Sequence, residues 1–432
     1  MKSRSDQLEA LVIGVVLAFP LFGTFMPIET YLRPRTYESI LAPQHVETLD
    51  FSRIVGYGVD ALAVYLTLVY SRAMLGDVRR GAILLALLGL IFASSAWSVD
   101  PRITLRGAIH MLVYSVFAFY LFHKYDIKGF TRYITRVLAV PVFASLAILA
   151  LRPDLGFINT GSYVVAARGA LVGKNALGEL MSLGVLAAGY SLFIRANNRI
   201  FAGVVMLGSL VLVVLARSAT SNIAVFATIG LALYGWIVRR RTNAGWGIMG
   251  AILTVIGIAA VTLGIIYVDD VLEIVGRSWT LTGRTDVWRA VLEAIRQRPL
   301  LGYGYGFWEM PSNARNNIWL ELNWSTPHAH NDWLDATLQL GIVGLSITVV
   351  LWLMSLSRAI RLALFTREAG ALFMALIIVN TFIRSLTETV IFDPGLLDWL
   401  WLVVAYLHLA RSAGAHNSLA AIPAVAAISG LP

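Results

Sequence analysis

Residues 279–340 read WTLTGRTDVWRAVLEAIRQRPLLGYGYGFWEMPSNARNNIWLELNWSTPHAHNDWLDATLQL. This is the only long stretch that is neither apolar nor short, and its contrast with its surroundings decides the fold. With Arg277 just ahead of it, it carries Arg284, Arg289, Arg296, Arg298 and Arg315, and two of the chain's seven histidines, His328 and His330. On both sides run apolar segments of roughly 17 to 25 residues, the length that crosses a bilayer as a helix. These runs are continuous rather than alternating, which excludes a transmembrane barrel. Composition agrees: 58% of the 432 residues are hydrophobic and 14% charged, against about 25% charged in soluble domains. The expected fold is all-α and polytopic, holding the 279–340 stretch over a lipid–water boundary.

Twelve spans are expected, near 8–27, 54–71, 81–97, 104–122, 136–151, 175–194, 200–216, 222–238, 247–267, 338–356, 369–385 and 395–410. The N-terminal run has a basic start but no small-x-small cleavage site before Pro27, so it reads as an uncleaved first span. Alternate loops are short and basic: Lys124, Lys128, Arg132 and Arg136 in one, Arg239, Arg240 and Arg241 in another. Such loops face the cytoplasm. Both termini then lie inside and the long polar stretch outside. The chain divides into nine spans over 1–267, an outer loop over 268–337 carrying the site, three spans over 338–411 and a cytoplasmic tail over 412–432. The net charge of +9 is accounted for by topology and does not signal nucleic acid. There is no cysteine, so disulfides, thiolate metal sites and cysteine nucleophiles are excluded.

Within the loop, Gly283–Gln297 reads as a helix with Trp288, Val291, Leu292 and Ile295 on one apolar face, ended by Pro299. A second helix is expected to open at Thr326 or Pro327, with His328, His330, Asn331 and Asp332 in its first turn, and to merge into the tenth span at Leu338. Two surface helices joined by an aromatic loop would roof a cavity. Trp279, Trp288, Trp308, Trp319, Trp324 and Trp333 suit the headgroup level.

Six motifs carry candidate chemistry. Trp97-Ser98-Val99-Asp100-Pro101 is explained by an interfacial Trp and an Asp N-cap with Pro at the first helical position. Arg168-Gly169-Ala170-Leu171-Val172-Gly173-Lys174-Asn175 is either a plain loop and cap or an anion site with Arg168, Lys174 and a helix N-terminus converging. Arg217 sits in a tight outer turn, Ala216-Arg217-Ser218-Ala219-Thr220-Ser221, where a charge away from the basic side marks function. Gly302-Tyr303-Gly304-Tyr305-Gly306 lacks the strand that a phosphate-binding glycine loop needs, and reads as a flexible loop or lid. His328 and His330, spaced i, i+2, have no third ligand nearby, so no metal site is expected; a neutral imidazole there can serve as general base. Glu388, in Arg384-Ser385-Leu386-Thr387-Glu388, is an outer carboxylate able to orient a partner or pair with an arginine.

TLTGRTDVWRAVLEAIRQRPLLGYGYGFW followed by HAHNDWLDATLQLGIVGL resembles the core of the O-antigen ligase and polymerase superfamily. WSVDP, GALVGKNALG and LTET stand in that family's order, and the likeness covers roughly residues 90 to 400. It implies a twelve-span inner-membrane enzyme of C-type glycosyltransferase architecture with a periplasmic site. Such enzymes transfer an undecaprenyl-diphosphate-linked glycan onto an acceptor hydroxyl: lipid A-core in ligases (the WaaL group), another O-antigen unit in polymerases. Arg284 matches the arginine of the family's Thr-Gly-Arg motif, and His330 the histidine before Asn331. Arg217 lies near the basic position after span seven, whose usual slot Ala219 fills.

A diphosphate leaving group needs charge neutralisation more than a general acid. The first outer loop has no Asp-x-Asp, whereas arginine forks bind phosphate oxygens bidentately. The expected reaction is therefore a metal-independent, cofactor-free, inverting transfer. Arg284 and Arg217 hold the diphosphate, His330 takes the acceptor proton, and Arg168, Lys174, Arg289, His328 and Glu388 line the substrate. The expected partners are the lipid-linked donor, lipid A-core and membrane lipids, with ligase favoured over polymerase. A polyprenyl-lipid transporter is the alternative from another class, against which the chain shows no internal repeat. A periplasmic protein O-glycosylation enzyme would differ only in acceptor.

Overall fold

The structure, a computed structural model, describes residues 13, 58, 60–68, 75–159, 165–239, 284–365, 369–392 and 398–412. Apart from Ile13, the expected first span falls outside these residues, as do the expected ninth span, Trp279 and the domain boundary at 267/268.

Among the described residues the chain is helical throughout its apolar runs: α1 Ala82–Ala93, α2 Pro101–Lys124, α3 Ile127–Leu151, α4 Lys174–Ile194, α5 Arg199–Ala216 and α6 Ala219–Arg239. After these come α7 Arg284–Gln297, α8 Asn313–Leu322, α9 Asp332–Phe365, α10 Ala369–Ser385 and a helix over 398–412. Two three-residue strands, Phe157–Asn159 and Val165–Ala167, pair antiparallel between α3 and α4. Six described helices are long and apolar enough to cross a membrane, and two shorter apolar ones accompany them at Ala219–Gly235 and Ala369–Ser385. The protein is a polytopic α-helical membrane protein.

Small residues set how closely the spans approach. A Cβ added at Gly184 of α4 would lie 2.5 Å from Ser209 Oγ of α5, and one at Gly178 would lie 2.7 Å from Ser221 Oγ of α6. Such contacts replace the hydrophobic drive that lipid removes. One charge cluster also joins the bundle. Arg384 of α10, wholly unexposed, forks onto Asp398 at 2.8 and 2.6 Å and reaches Glu179 of α4 at 3.3 Å. A buried arginine without such partners would be very costly. Arg384 is thus a strut within the bundle.

The long helix α9 is broken at Gly341, which adopts φ 65°, ψ −165°, a conformation open essentially to glycine alone. The break frees backbone groups, and the turn after α7 satisfies them. Tyr303 N donates to Leu338 O (3.0 Å), Gly304 N to Gln339 O (2.9 Å), and Ile342 N to Pro299 O (2.9 Å). Irregular backbone at such a depth needs partners of this kind. The 302–306 segment is thus not a mobile lid, as its glycines had suggested. Tyr303 and Tyr305 are buried, Tyr305 N donates to Ser94 Oγ, and Gly306 N donates to the Gln339 side chain.

Above the spans sits a second, smaller core of Val287, Val291, Tyr303, Phe307, Trp308 and Ile318 with their neighbours. The face that α7 buries is Val287, Ala290, Val291 and Ala294, one step round from the sequence expectation; Leu292 is exposed. The segment read as an aromatic loop contains α8, capped by Ser312, whose Oγ accepts from Arg315 N. Several of the tryptophans are hydrogen-bonded struts. Trp288 Nε1 donates to Ala329 O, Trp319 Nε1 to Thr326 O and Trp97 Nε1 to Leu301 O. Asp100 caps α2, accepting from Arg102 N and Ile103 N.

Candidate functional site

The site forms where α7 begins, where α9 begins and where the chain leaves α10. Arg284 is the first residue of α7, so its guanidinium stands at a helix N-terminus, itself favourable to anions. His328 and His330 precede α9 rather than occupying its first turn: the helix starts at Asp332, because Asn331 is its N-cap. Asn331 Oδ1 accepts from Trp333 N and Leu334 N, both at 3.0 Å. His330 pays for that junction with a left-handed backbone, φ 51°, which costs a non-glycine residue on the order of 1–2 kcal/mol.

Glu388 joins the two. One carboxylate oxygen pairs with Arg284 Nη2, and the other lies 3.1 Å from His330 Nδ1. Glu388 is 3% exposed and Arg284 11%. Burial alone would raise the Glu388 carboxyl, but the His330 hydrogen bond and the Arg284 charge outweigh it and hold the group below the usual carboxylate range. An ionised carboxylate only accepts, so His330 Nδ1 is the donor, and in the neutral ring Nε2 keeps its lone pair. His328 packs edge-to-face on His330, ring centroids 4.1 Å apart. Its Nδ1 accepts from His330 N at 3.2 Å. Burial, then the neighbouring His330, push His328 down to about 3, so it is neutral and serves as a wall of the site.

Two carboxylates not foreseen as site residues hold the assembly in register. Asp332 Oδ1 accepts from Val390 N and Ile391 N at 3.0 and 2.9 Å. Asp335 accepts from Trp308 Nε1 (2.6 Å), Ala329 N (3.0 Å) and Thr389 Oγ1. Asn331 Nδ2 donates to Leu386 O. These bonds pin the 386–392 segment to the start of α9 and thereby set Glu388 against His330. The signal available in the sequence was two acids one turn apart opening an otherwise apolar helix.

A family model described as O-antigen ligase matches residues 204–349. The exopolysaccharide production protein ExoQ of Rhizobium meliloti (strain 1021) is 28% identical over 354 residues, covering 78% of this chain and 80% of that protein. Both likenesses support the O-antigen ligase and polymerase superfamily. This is a group of membrane ligases and polymerases acting on lipid-linked polysaccharide. The superfamily match takes in Arg217, Arg284, Arg289, His328 and His330 and ends before Glu388.

The remaining candidates spread around that centre. Lys174, first residue of α4, lies within electrostatic reach of Arg284 and Glu388. Arg217 closes α5 in a left-handed conformation, φ 49°, with its side chain exposed and no ion pair among the described residues. Its turn is tied to the centre indirectly, through Thr220 Oγ1 bonded to Thr387 Oγ1. Arg168 donates from Nε to Leu155 O at 2.8 Å. Arg289 faces solvent and pairs with Asp286 at 3.3 Å. No group of three or more His, Asp or Glu residues able to hold a metal occurs among the described residues.

Proposed function

We propose that the chain transfers a glycan from undecaprenyl diphosphate onto a sugar hydroxyl on the periplasmic side of the inner membrane. The observation that carries this reading is the single carboxylate, Glu388, shared between an arginine and a histidine. With Nδ1–H directed to Glu388, Nε2 of His330 removes the acceptor proton as the hydroxyl attacks the anomeric carbon. Glu388 fixes the ring orientation and stabilises the imidazolium that forms. Arg284 gives Nη2 to Glu388 and keeps its other N–H groups for the diphosphate oxygens, whose charge grows as the glycosidic bond to phosphate breaks. Lys174 adds a second cation from α4, and in this reading Arg217 adds a third. One arginine–phosphate pair at about 4 Å contributes about 4 kcal/mol at an effective dielectric near 20, before desolvation. Two or three such pairs match the work a divalent ion would do. One displacement at the anomeric carbon inverts its configuration.

The acceptor in this reading is lipid A-core, in keeping with a matching family model described as O-antigen ligase. A second acceptor is favoured by a specific observation: the relative covering 80% of its own length is an exopolysaccharide production protein. On that reading the same site extends one lipid-linked chain with another. Deletion of the gene separates them on a lipopolysaccharide gel. Loss of a ligase leaves bare core with long lipid-linked chains; loss of an exopolysaccharide polymerase leaves core lipopolysaccharide unchanged and removes secreted polymer. Turnover by the purified protein in EDTA tests the chemistry, and turnover that is lost with EDTA and restored by magnesium overturns the arginine-only site.

A further inference from the structure

The end of the bundle far from the triad carries its own built cavity. Lys174 opens α4 beside Arg284 and Glu388, and the helix ends 21 residues later at Ile194, about 31 Å away at 1.5 Å per residue. There Arg195 turns the chain with a left-handed backbone, φ 53°, and Asn198 caps α5. The turn between α4 and α5 grips two arginines of α3, one helical turn apart. Arg132 Nε donates to Ala196 O at 2.8 Å, and Arg136 Nε donates to Asn197 Oδ1 at 3.0 Å. Asn197 answers through Nδ2 to Arg132 O and Ser191 Oγ. These groups, with Tyr133 and Asn198, line a cavity of about 420 Å³.

The bonding leaves a particular remainder. Each guanidinium is oriented through Nε, yet its Nη atoms find no acceptor, and neither arginine forms an ion pair, among the described residues. Two like charges an i, i+4 step apart repel, and their free forks match the oxygens of one phosphate. Beyond Arg136 on the same helix, Val140 and Phe143 are exposed, and Ile200 and Val204 are exposed on α5. A phosphate bound here would thus sit at the head of an apolar surface directed along the spans.

We propose that this cavity binds the phosphate headgroup of an anionic phospholipid, in the leaflet opposite the Arg284–Glu388–His330 site. The apolar strips take the acyl chains and the paired arginines take the headgroup, as basic pockets between spans do. The reading of the triad is not needed for this site.

Native mass spectrometry of the full-length protein, stripped of lipid in detergent, tests it with three probes: phosphatidylglycerol, phosphatidylcholine and inorganic phosphate. The first phosphatidylglycerol is expected to bind at least about tenfold tighter than phosphatidylcholine. Arg136→Gln, at an exposed position, is expected to erase that preference without shifting the melting temperature; Arg136→Lys should keep part of it. Equal binding of the two lipids, or an unchanged preference in the Gln variant, overturns the proposal. Displacement of the lipid by millimolar inorganic phosphate also overturns it, in favour of a soluble phosphate ligand.

Discussion

Glu388→Gln isolates what the shared carboxylate does, because it keeps the shape and removes the charge. Each oxygen of Glu388 accepts from one partner, Arg284 on one side and His330 Nδ1 on the other. A glutamine has one oxygen and one amide nitrogen to offer them. If the oxygen faces His330, the NH₂ group is pressed against a buried guanidinium, a donor against a cation. The amide therefore turns its oxygen to Arg284 and its NH₂ to Nδ1. Nδ1 must then be the bare nitrogen and Nε2 carries the proton, so the imidazole can no longer accept one. The transfer rate should fall about 10³- to 10⁴-fold, or about 4 to 5.5 kcal/mol at about 1.36 kcal/mol per decade. The assay is single-turnover transfer from a polyprenyl-diphosphate glycan by full-length protein in nanodiscs, with donor affinity measured separately. Glu388→Asp, which keeps the charge, should recover part of the rate. A Gln variant within threefold of wild type at saturating donor would refute the orienting role.

Three further outcomes follow from the geometry. Gly341→Ala places a methyl 2.1 Å from Leu300 O at a positive φ, so the 299–306 turn should detach from α9, with loss of several kcal/mol of stability read as a large drop in melting temperature. Asp335→Ala strands three donors, Trp308 Nε1, Ala329 N and Thr389 Oγ1, at roughly 1–3 kcal/mol for each buried orphan; hydrogen exchange should rise across 386–392, and transfer should fall with it. His328 is held down at about 3, so between about pH 6.5 and 3 the unfolded chain binds the extra proton and stability falls as pH falls. The loss at pH 5 is up to about 2 kcal/mol, and thermal melts of wild type against His328→Gln should show the variant losing less between pH 7 and 5.

Length and apolarity made the spans legible: most described helices match the expected segments to within a few residues, while α3 starts at Ile127 rather than 136 and α9 runs from Asp332 to Phe365 rather than over 338–356; the apolar run before Pro299 and the Asp100 cap were readable from periodicity and side-chain chemistry. What failed was local backbone satisfied from far away. The 302–306 segment looked mobile because the partners of Tyr303, Gly304, Tyr305 and Gly306, namely Leu338, Gln339 and Ser94, lie more than 30 residues off in the chain. The start of α9 was placed too early because Pro327 resembles a first helical residue, whereas Asn331 supplies the cap. Arg284 and His330 stood out as polar residues in an apolar chain. That they meet on Glu388 depends on Asp332 and Asp335 drawing a segment over 50 residues away onto α9, which no local pattern encodes.

The central claim is that His330 moves a proton while Arg284 and its neighbours hold the donor. Measuring donor affinity and single-turnover transfer together for His330→Ala tests it most directly. A rate lowered about 100-fold or more, with the donor dissociation constant within about twofold of wild type, is the predicted result. Donor binding lost in proportion to rate would make His330 a binding residue and contradict the account.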